Sequence, residues 1–309
     1  MVLALPTDPR LAARAPFPIK PPTALAGSSF EHFPARPYLE KYYSGMGPEN
    51  AALLEALTFF CRDLEPDLAR VVEVGGGPIV LPLLALTAAR GRGPGRVLFG
   101  DIAPANLAEV ERWLVDHPEQ FDWSATLEWL ERHMGAQPHE LVRSLRASSW
   151  ELREIDMREP LPADLLSSFD TVSSHFFADS ATADEREFVE FLAKVRLLGA
   201  PGATFFLSFM CRSSGYAIGA ERFPAIALDP ETLLPFLARA GFALSRFKLH
   251  AVPTEGHAEE TGYEGLMFVA GTLDDGQVPR APRGTDWRAE HLRAVSEEMR
   301  RASDADRRR

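Results

Sequence analysis

Val71-Val-Glu-Val-Gly-Gly-Gly-Pro78, followed by Arg96-Val-Leu-Phe-Gly-Asp101, decides the fold class of this chain. A short β-branched run enters a glycine-rich turn, an apolar helix-like segment follows, and a second strand-like run ends on an acid. This is the pattern of a nucleotide-binding βαβ unit. Glycines let the backbone turn sharply and approach a ligand with no Cβ in the way. A dinucleotide fingerprint requires G-x-G-x-x-G. Counted from Gly75, the third glycine position holds Val80; counted from Gly76, the second holds Pro78. A nicotinamide-dependent oxidoreductase is therefore the weaker reading of the loop. A plain glycine-rich turn is weakened in its turn by the paired Asp101.

Outward from this unit, strand-like and helix-like segments alternate. Leu53, Leu54, Leu57 and Phe60 share one helical face, with Asn50 as the expected cap. Pro82 falls in the first turn of the helix after the loop, where a missing amide costs least. Leu107, Val110, Trp113 and Leu114 mark a helix over 105–117, and 120–147 reads as a helical insertion. Strand-like runs cover 150–156, 169–174 and 204–209, with two last runs near 243–252 and 265–271. Thr182-Ala-Asp-Glu185 reads as a capping box before a helix that buries Phe188, Phe191, Leu192 and Val195. Asp229 and Pro230 start a further helix, which stops at Gly241. Such alternation predicts an α/β fold, with a mostly parallel sheet covered by helices on both faces. The last two strands lack a helix between them and predict an antiparallel hairpin at one edge. Residues 1–34 read as a Pro-rich arm, 35–272 as the main domain and 273–309 as a polar tail, in which Trp287, Leu292, Val295 and Met299 stripe one possible helix.

The formal charge of -11 and the pI of about 5.3 argue against a nucleic-acid partner, which needs basic surface. The longest apolar run, 79–89, contains Pro82 and is too short to span a bilayer. The first residues make a poor signal peptide. A cytoplasmic protein without a membrane partner is the resulting expectation. Cys61 and Cys211 supply neither a disulfide framework nor a metal cluster and read as buried structural thiols.

The acid two residues before the first glycine, in Glu73-Val-Gly75-Gly-Gly77, resembles motif I of class I S-adenosylmethionine methyltransferases. Pro37-Tyr-Leu-Glu-Lys-Tyr-Tyr43 is similar to the signature segment of the family containing the nicotinamide, phenylethanolamine and indolethylamine (thioether) methyltransferases. Further matches follow in order: Asp101 with Asn106, Val110-Glu-Arg-Trp-Leu114, His117-Pro-Glu-Gln-Phe-Asp-Trp123, Ile155-Asp156, Asp179, Ser213-Ser-Gly-Tyr-Ala-Ile-Gly219 and Glu264-Gly-Leu266. Together they span roughly residues 35–272. The resemblance implies a Rossmann-like, seven-stranded, mostly parallel class I methyltransferase sheet with an antiparallel edge strand and an N-terminal lid over 35–60. It also implies S-adenosylmethionine as cofactor and S-adenosylhomocysteine as product.

Carried over by position, Tyr38 and Tyr43 contact the cofactor from the lid, and Gly75 and Gly77 cradle its methionine part. Asp101 takes the ribose hydroxyls, Asn106 lies near the polar end, and Asp156 and Met157 flank the adenine. Tyr42 and Tyr216 face the substrate, joined by Phe176 and Phe209 as aromatic walls near strand ends. Asp179 is the acid close to the substrate amine; a second family carboxylate has no strict match, Thr261 being the literal alignment, and the nearby Glu260 or Glu259 is the candidate for that role. His175, after the fourth strand, is a candidate base. The chain departs from the family at Ile79, where the nicotinamide enzyme has a hydroxyl residue, and at Phe209, where that enzyme has a substrate-orienting acid. The implied activity is methyl transfer to the nitrogen of a small aromatic or alkyl amine. Carbon methylation of a ring such as indole, sulfur methylation, and a cofactor-binding partner protein without turnover are the alternatives. The acceptor's identity and the oligomeric state do not transfer with the resemblance.

Overall fold

The computed structural model describes residues 30–213, 215–251 and 263–273, the stretch 246–251 by its backbone alone. Helices α1 (Ala35–Tyr42) and α2 (Pro48–Leu64) precede β1 (Arg70–Val74), which is followed by α3 (Leu81–Arg90), β2 (Arg96–Asp101) and α4 (Pro104–Leu114). The insertion consists of α5 (Ser124–Met134) and α6 (Pro138–Arg146). Then come β3 (Ser149–Glu154), β4 (Phe169–His175), α7 (Glu185–Leu198) and β5 (Gly199–Cys211). A small hairpin, β6 (Tyr216–Ile218) and β7 (Glu221–Phe223), leads to α8 (Pro230–Arg239), β8 (Arg246–Ala251) and β9 (Gly265–Thr272).

The sheet order is β3-β2-β1-β4-β5-β9-β8. β1 pairs in parallel with β2 on one side and β4 on the other. Chain order therefore reverses between β1 and β4, and ligands of such sheets bind outside the carboxyl ends of the strands at that point. The glycine loop, Asp101 and His175 all stand at those ends. Six strands, β3, β2, β1, β4, β5 and β8, run one way, and β9 runs against both of its neighbours. The expected hairpin is present at the edge, with β8 outermost.

Strand periodicity sends alternate side chains to opposite faces. On one face Val71, Val97, Phe99, Phe206 and Phe268 bury against apolar residues of α2, α3 and α4. On the other, Val72, Val74, Leu98, Phe205 and Leu207 bury against Phe188, Phe191 and Val195 of α7 and Leu233 and Leu237 of α8. Cys61 and Cys211 are buried free thiols, each pushed up to about 12 by burial.

Several local expectations shift. α2 starts at Pro48 behind Gly47, and Asn50 does not cap it. Its side-chain amide instead donates to Tyr42 O at 2.8 Å, fastening α2 to the end of α1. Asp184, two residues beyond Thr182, caps α7 by accepting the Glu187 N–H at 2.9 Å. Asp229 caps α8 as expected, in a capping box with Thr232. β5 begins as early as Gly199, ahead of the strand-like run expected over 204–209. The segment Trp287–Met299, expected as a terminal helix, lies outside the described residues.

The lid helix α1 is held at both ends. The Arg36 guanidinium clamps Glu109 of α4 with two hydrogen bonds, 3.1 and 2.7 Å, and Arg112 holds the same buried carboxylate at 2.8 Å. At the other end Lys41 Nζ and Tyr42 OH donate to Ala217 O of β6, at 2.8 and 3.3 Å.

Candidate active site

The glycine loop has two different reasons for its glycines. Gly75 has φ +63°, and a Cβ there would stand 2.1 Å from Phe177 Cγ. Gly77 has φ +58°, and a Cβ there would meet nothing within 4 Å. Gly75 is therefore required by packing and conformation together, whereas Gly77 leaves an open flank toward the cavity. The loop is tied to the end of β2: Gly77 N–H donates to Asp101 Oδ2 at 2.8 Å. Asp101 Oδ1 accepts from Ala103 N–H at 2.8 Å and from Asn106 Nδ2 at 3.0 Å. Burial raises the Asp101 pKa, and these donors pull it back. Asn106 Oδ1 is buried and has no partner among the described residues. It is an acceptor at the cavity wall, waiting for a donor.

One cavity runs from this loop to the lid. Tyr38, Tyr42 and Tyr43 of the α1 segment, Gly75, Gly77, Asp101, Asn106, Asp156, Met157, His175, Phe176 and Tyr216 all line it. Phe176 has φ +55°, uncommon for a bulky side chain and a local strain exactly where β4 meets the cavity. Two expected residues do not line the cavity. Phe209 lies on the opposite face of the sheet, its ring 6.0 Å from Phe188 of α7. Period-two alternation along β5 hands the cavity side to Met210 instead. Asp179 is fully buried behind the wall, where its Oδ2 accepts the Met210 N–H at 2.7 Å and its Oδ1 has no partner among the described residues. Glu259 and Glu260 lie outside the described residues. The cavity also takes in Phe30, Phe33 and Tyr263. The first two lie in the stretch whose Pro-rich composition reads as an arm, and no pattern marks Tyr263.

The family model of the NNMT/PNMT/TEMT family matches residues 22–272. The chain belongs to this family. It is 28% identical to nicotinamide N-methyltransferase of Homo sapiens over 233 residues, 71% of this chain and 85% of that one. It is 24% identical to phenylethanolamine N-methyltransferase of Macaca mulatta over 262 residues, 80% and 90% of the two chains. With indolethylamine N-methyltransferase of Oryctolagus cuniculus it shares 27% over 252 residues, 77% and 92%. The protein is thus a methyltransferase, with S-adenosylmethionine as its cofactor. The site fits that group: the unpartnered Asn106 oxygen, the open flank of Gly77 and the Asp101 carboxylate suit ammonium and hydroxyl donors. Among the described residues no helix is long and apolar enough to cross a membrane.

The titratable groups around this methyltransferase cavity are governed by burial. His175 Nε2 is 2.9 Å from Ser173 Oγ and its Nδ1 is 2.7 Å from Ser208 Oγ. Burial lowers its pKa to about 3. A neutral imidazole with both nitrogens engaged is no base near neutrality, which corrects the expectation placed on it. Burial raises Glu73 to about 8, weakly opposed by Ser173, and Asp179 to about 7. The unfolded chain loses these two protons near 4.5 and 3.8. Between those values and the folded ones the native state binds more protons, so stability falls as pH rises. We expect the urea midpoint to drop between pH 5 and pH 8, by an amount on the order of 2–4 kcal/mol in stability. Glu73→Gln should remove much of that slope; a slope equal to wild type would show that Glu73 does not carry it.

Proposed function

We propose that this protein transfers the methyl group of S-adenosylmethionine to the nitrogen of a small aromatic or alkyl amine. The observation that carries this reading is the continuity of the cavity: the glycine loop, Asp101 and Asn106 at one end open into a tyrosine- and phenylalanine-lined chamber beneath the lid at the other. When bound, the cofactor supplies a methyl group on a sulfonium, a leaving group that needs neither metal nor covalent intermediate.

The chain's own residues then have three tasks. Asp101 and Asn106 hold hydroxyl and ammonium donors, Asp156 and Met157 flank the base, and Tyr38 and Tyr43 close the lid over the cofactor end. Burial pushes the Tyr38 hydroxyl up to about 12, so it stays neutral as a lid wall. Tyr42, Phe176 and Tyr216 line the acceptor chamber, and flat aromatic walls suit a ring and a nearby positive charge. Holding the nucleophile in line with the methyl group supplies up to ~7–11 kcal/mol in favourable cases.

An aliphatic amine with a pKa near 10.4 costs roughly 4–5 kcal/mol to hold neutral at pH 7. Asp179 acts on the cavity through a neighbour: by accepting the Met210 N–H it fixes the β5 residue that lines the cavity. It is a positioning residue.

The test is mass spectrometry of a panel of small amines incubated with the protein and isotopically labelled S-adenosylmethionine. Label on nitrogen of at least one amine is the expected outcome. Label on ring carbon alone, or cofactor binding with no transfer to any member, would replace this reading with one of its alternatives.

A further inference from the structure

Lys194 of α7 directs its whole ammonium group at one loop. Its Nζ donates to Met157 O at 2.6 Å, Arg158 O at 2.9 Å and Glu159 O at 2.9 Å. An ammonium has three N–H groups and no acceptor, so these carbonyls use its full capacity. They belong to the turn that follows β3, closed by the Glu159 N–H on Asp156 O at 3.1 Å. The Arg158 side chain ties the same turn to α7 a second time. Its Nε stands 2.9 Å from Glu187 Oε1, and its guanidinium lies 5.5 Å from the centre of the Phe191 ring.

One of the three carbonyls carries the lysine's influence into the cavity. The Met157 carbonyl and the Arg158 N–H belong to a single planar peptide and point in opposite directions. Lys194 takes the carbonyl, and the N–H donates to Asp156 Oδ1 at 2.8 Å. The peptide thus has an ammonium on one side and the Asp156 carboxylate on the other. A cation on the oxygen polarises the peptide and strengthens its N–H as a donor. Asp156 lines the cavity together with Ile102, Ile155, Met157 and Phe191. A carboxylate held by one oxygen still offers acceptor lone pairs to a ligand. Fixed beside apolar walls, it suits a flat base with an amino donor at its edge and disfavours one with a carbonyl there. A clasp between α7 and the turn would be the whole role of Lys194 if the Met157–Arg158 peptide touched nothing in the site. Its bond to Asp156 says otherwise.

We propose that Lys194 is a positioning residue for the cofactor's base. Through the Met157–Arg158 peptide it fixes the Asp156 carboxylate, and that carboxylate selects a base with an exocyclic amino group over one with a carbonyl in its place. This rests on the placement of the adenine beside Asp156 and names the residue that makes the placement selective.

The test is titration calorimetry on the full chain at pH 7 with two ligands. One is S-adenosylhomocysteine and the other is S-inosylhomocysteine, in which a carbonyl replaces the amino group of the base. Wild type should prefer the adenine ligand by at least about tenfold. Lys194→Met keeps the length of the stem and removes the donors. It should cut the preference to less than about threefold, with affinity for S-inosylhomocysteine within about twofold of wild type. Lys194→Gln keeps a donor and should fall between the two; it supplies the readout if Lys194→Met does not fold. A wild-type ratio in whichever of these variants folds overturns the proposal. So does an equal loss of affinity for both ligands, the result a purely structural clasp would give, and so does a wild type with no preference. Asp156→Ala separates the two layers. If it loses the preference while Lys194→Met retains it, the placement of the base stands and the role of Lys194 falls. If Asp156→Ala retains the preference, the placement itself falls and the proposal with it.

Discussion

Asp101→Ala is expected to weaken S-adenosylhomocysteine binding by about 100-fold or more. The carboxylate contributes twice. It faces the cavity as an acceptor for ligand hydroxyls, and hydrogen bonds to charged groups are worth about 1.5–3 kcal/mol. It also holds the site together: without it the Gly77 and Ala103 N–H groups and the Asn106 amide lose their shared acceptor. Each donor left unsatisfied costs about 1–3 kcal/mol, which the loop relieves by moving. Asp101→Asn keeps an acceptor oxygen and should lose less. Asp179→Asn touches none of the Asp101 partners and should leave cofactor affinity near wild type while lowering turnover. Calorimetry with S-adenosylhomocysteine separates the three variants. A loss in Asp101→Ala below about threefold, or an equal loss in Asp179→Asn, would reject the division of labour between them.

Gly75→Ala should be the most destabilising single substitution in the loop. Its Cβ would enter the Phe177 ring, and its backbone must keep φ +63°. The left-handed conformation costs a non-glycine residue about 1–2 kcal/mol. Overpacking costs about 1–3 kcal/mol more. Together these lower Tm by roughly 5–15 °C in a domain of this size. Gly77→Ala has nearly the same backbone angle, φ +58°, but open space at its Cβ. It should lose only the conformational part of the stability, yet bind S-adenosylhomocysteine poorly, because the new methyl stands where the cavity wall was open. Thermal unfolding of both, with the double variant Gly75→Ala/Phe177→Ala, decides the matter. Partial recovery in the double variant is expected. Equal Tm losses in the two single variants would show that the Phe177 contact does not matter.

The readable parts of the site are those whose signal is local. Glu73-Val-Gly75-Gly-Gly77 and Asp101 each sit at the end of a strand that its own residues define, and one βαβ unit brings them together. The lid tyrosines are contiguous, so Tyr38, Tyr42 and Tyr43 reach one cavity as a single helical segment. The residues whose expected roles change depend on partners far along the chain. Nothing near His175 tells that Ser208 of β5 will occupy its Nδ1. Asp179 reads as an acid beside the acceptor, and the Met210 N–H, thirty-one residues away, draws it behind the wall. Thr182 and Asp184 are both competent caps, and helical packing of Phe188 and Phe191 selects the later one.

The sequence by itself determined the α/β class, the βαβ unit with its glycine turn and strand-end acid, and the failure of the dinucleotide fingerprint. These follow from short-range rules: glycine at positive φ, an acid at a strand end, and apolar residues at period two or near four. Only the tertiary structure decided which face of β5 meets the cavity, that His175 is neutral between two serine hydroxyls, and that Glu49 of α2 lines the cavity together with the lid tyrosines. Those facts are fixed by strand register, by desolvation and by the docking of the lid, and each of these is a sum over contacts between segments that no local pattern encodes.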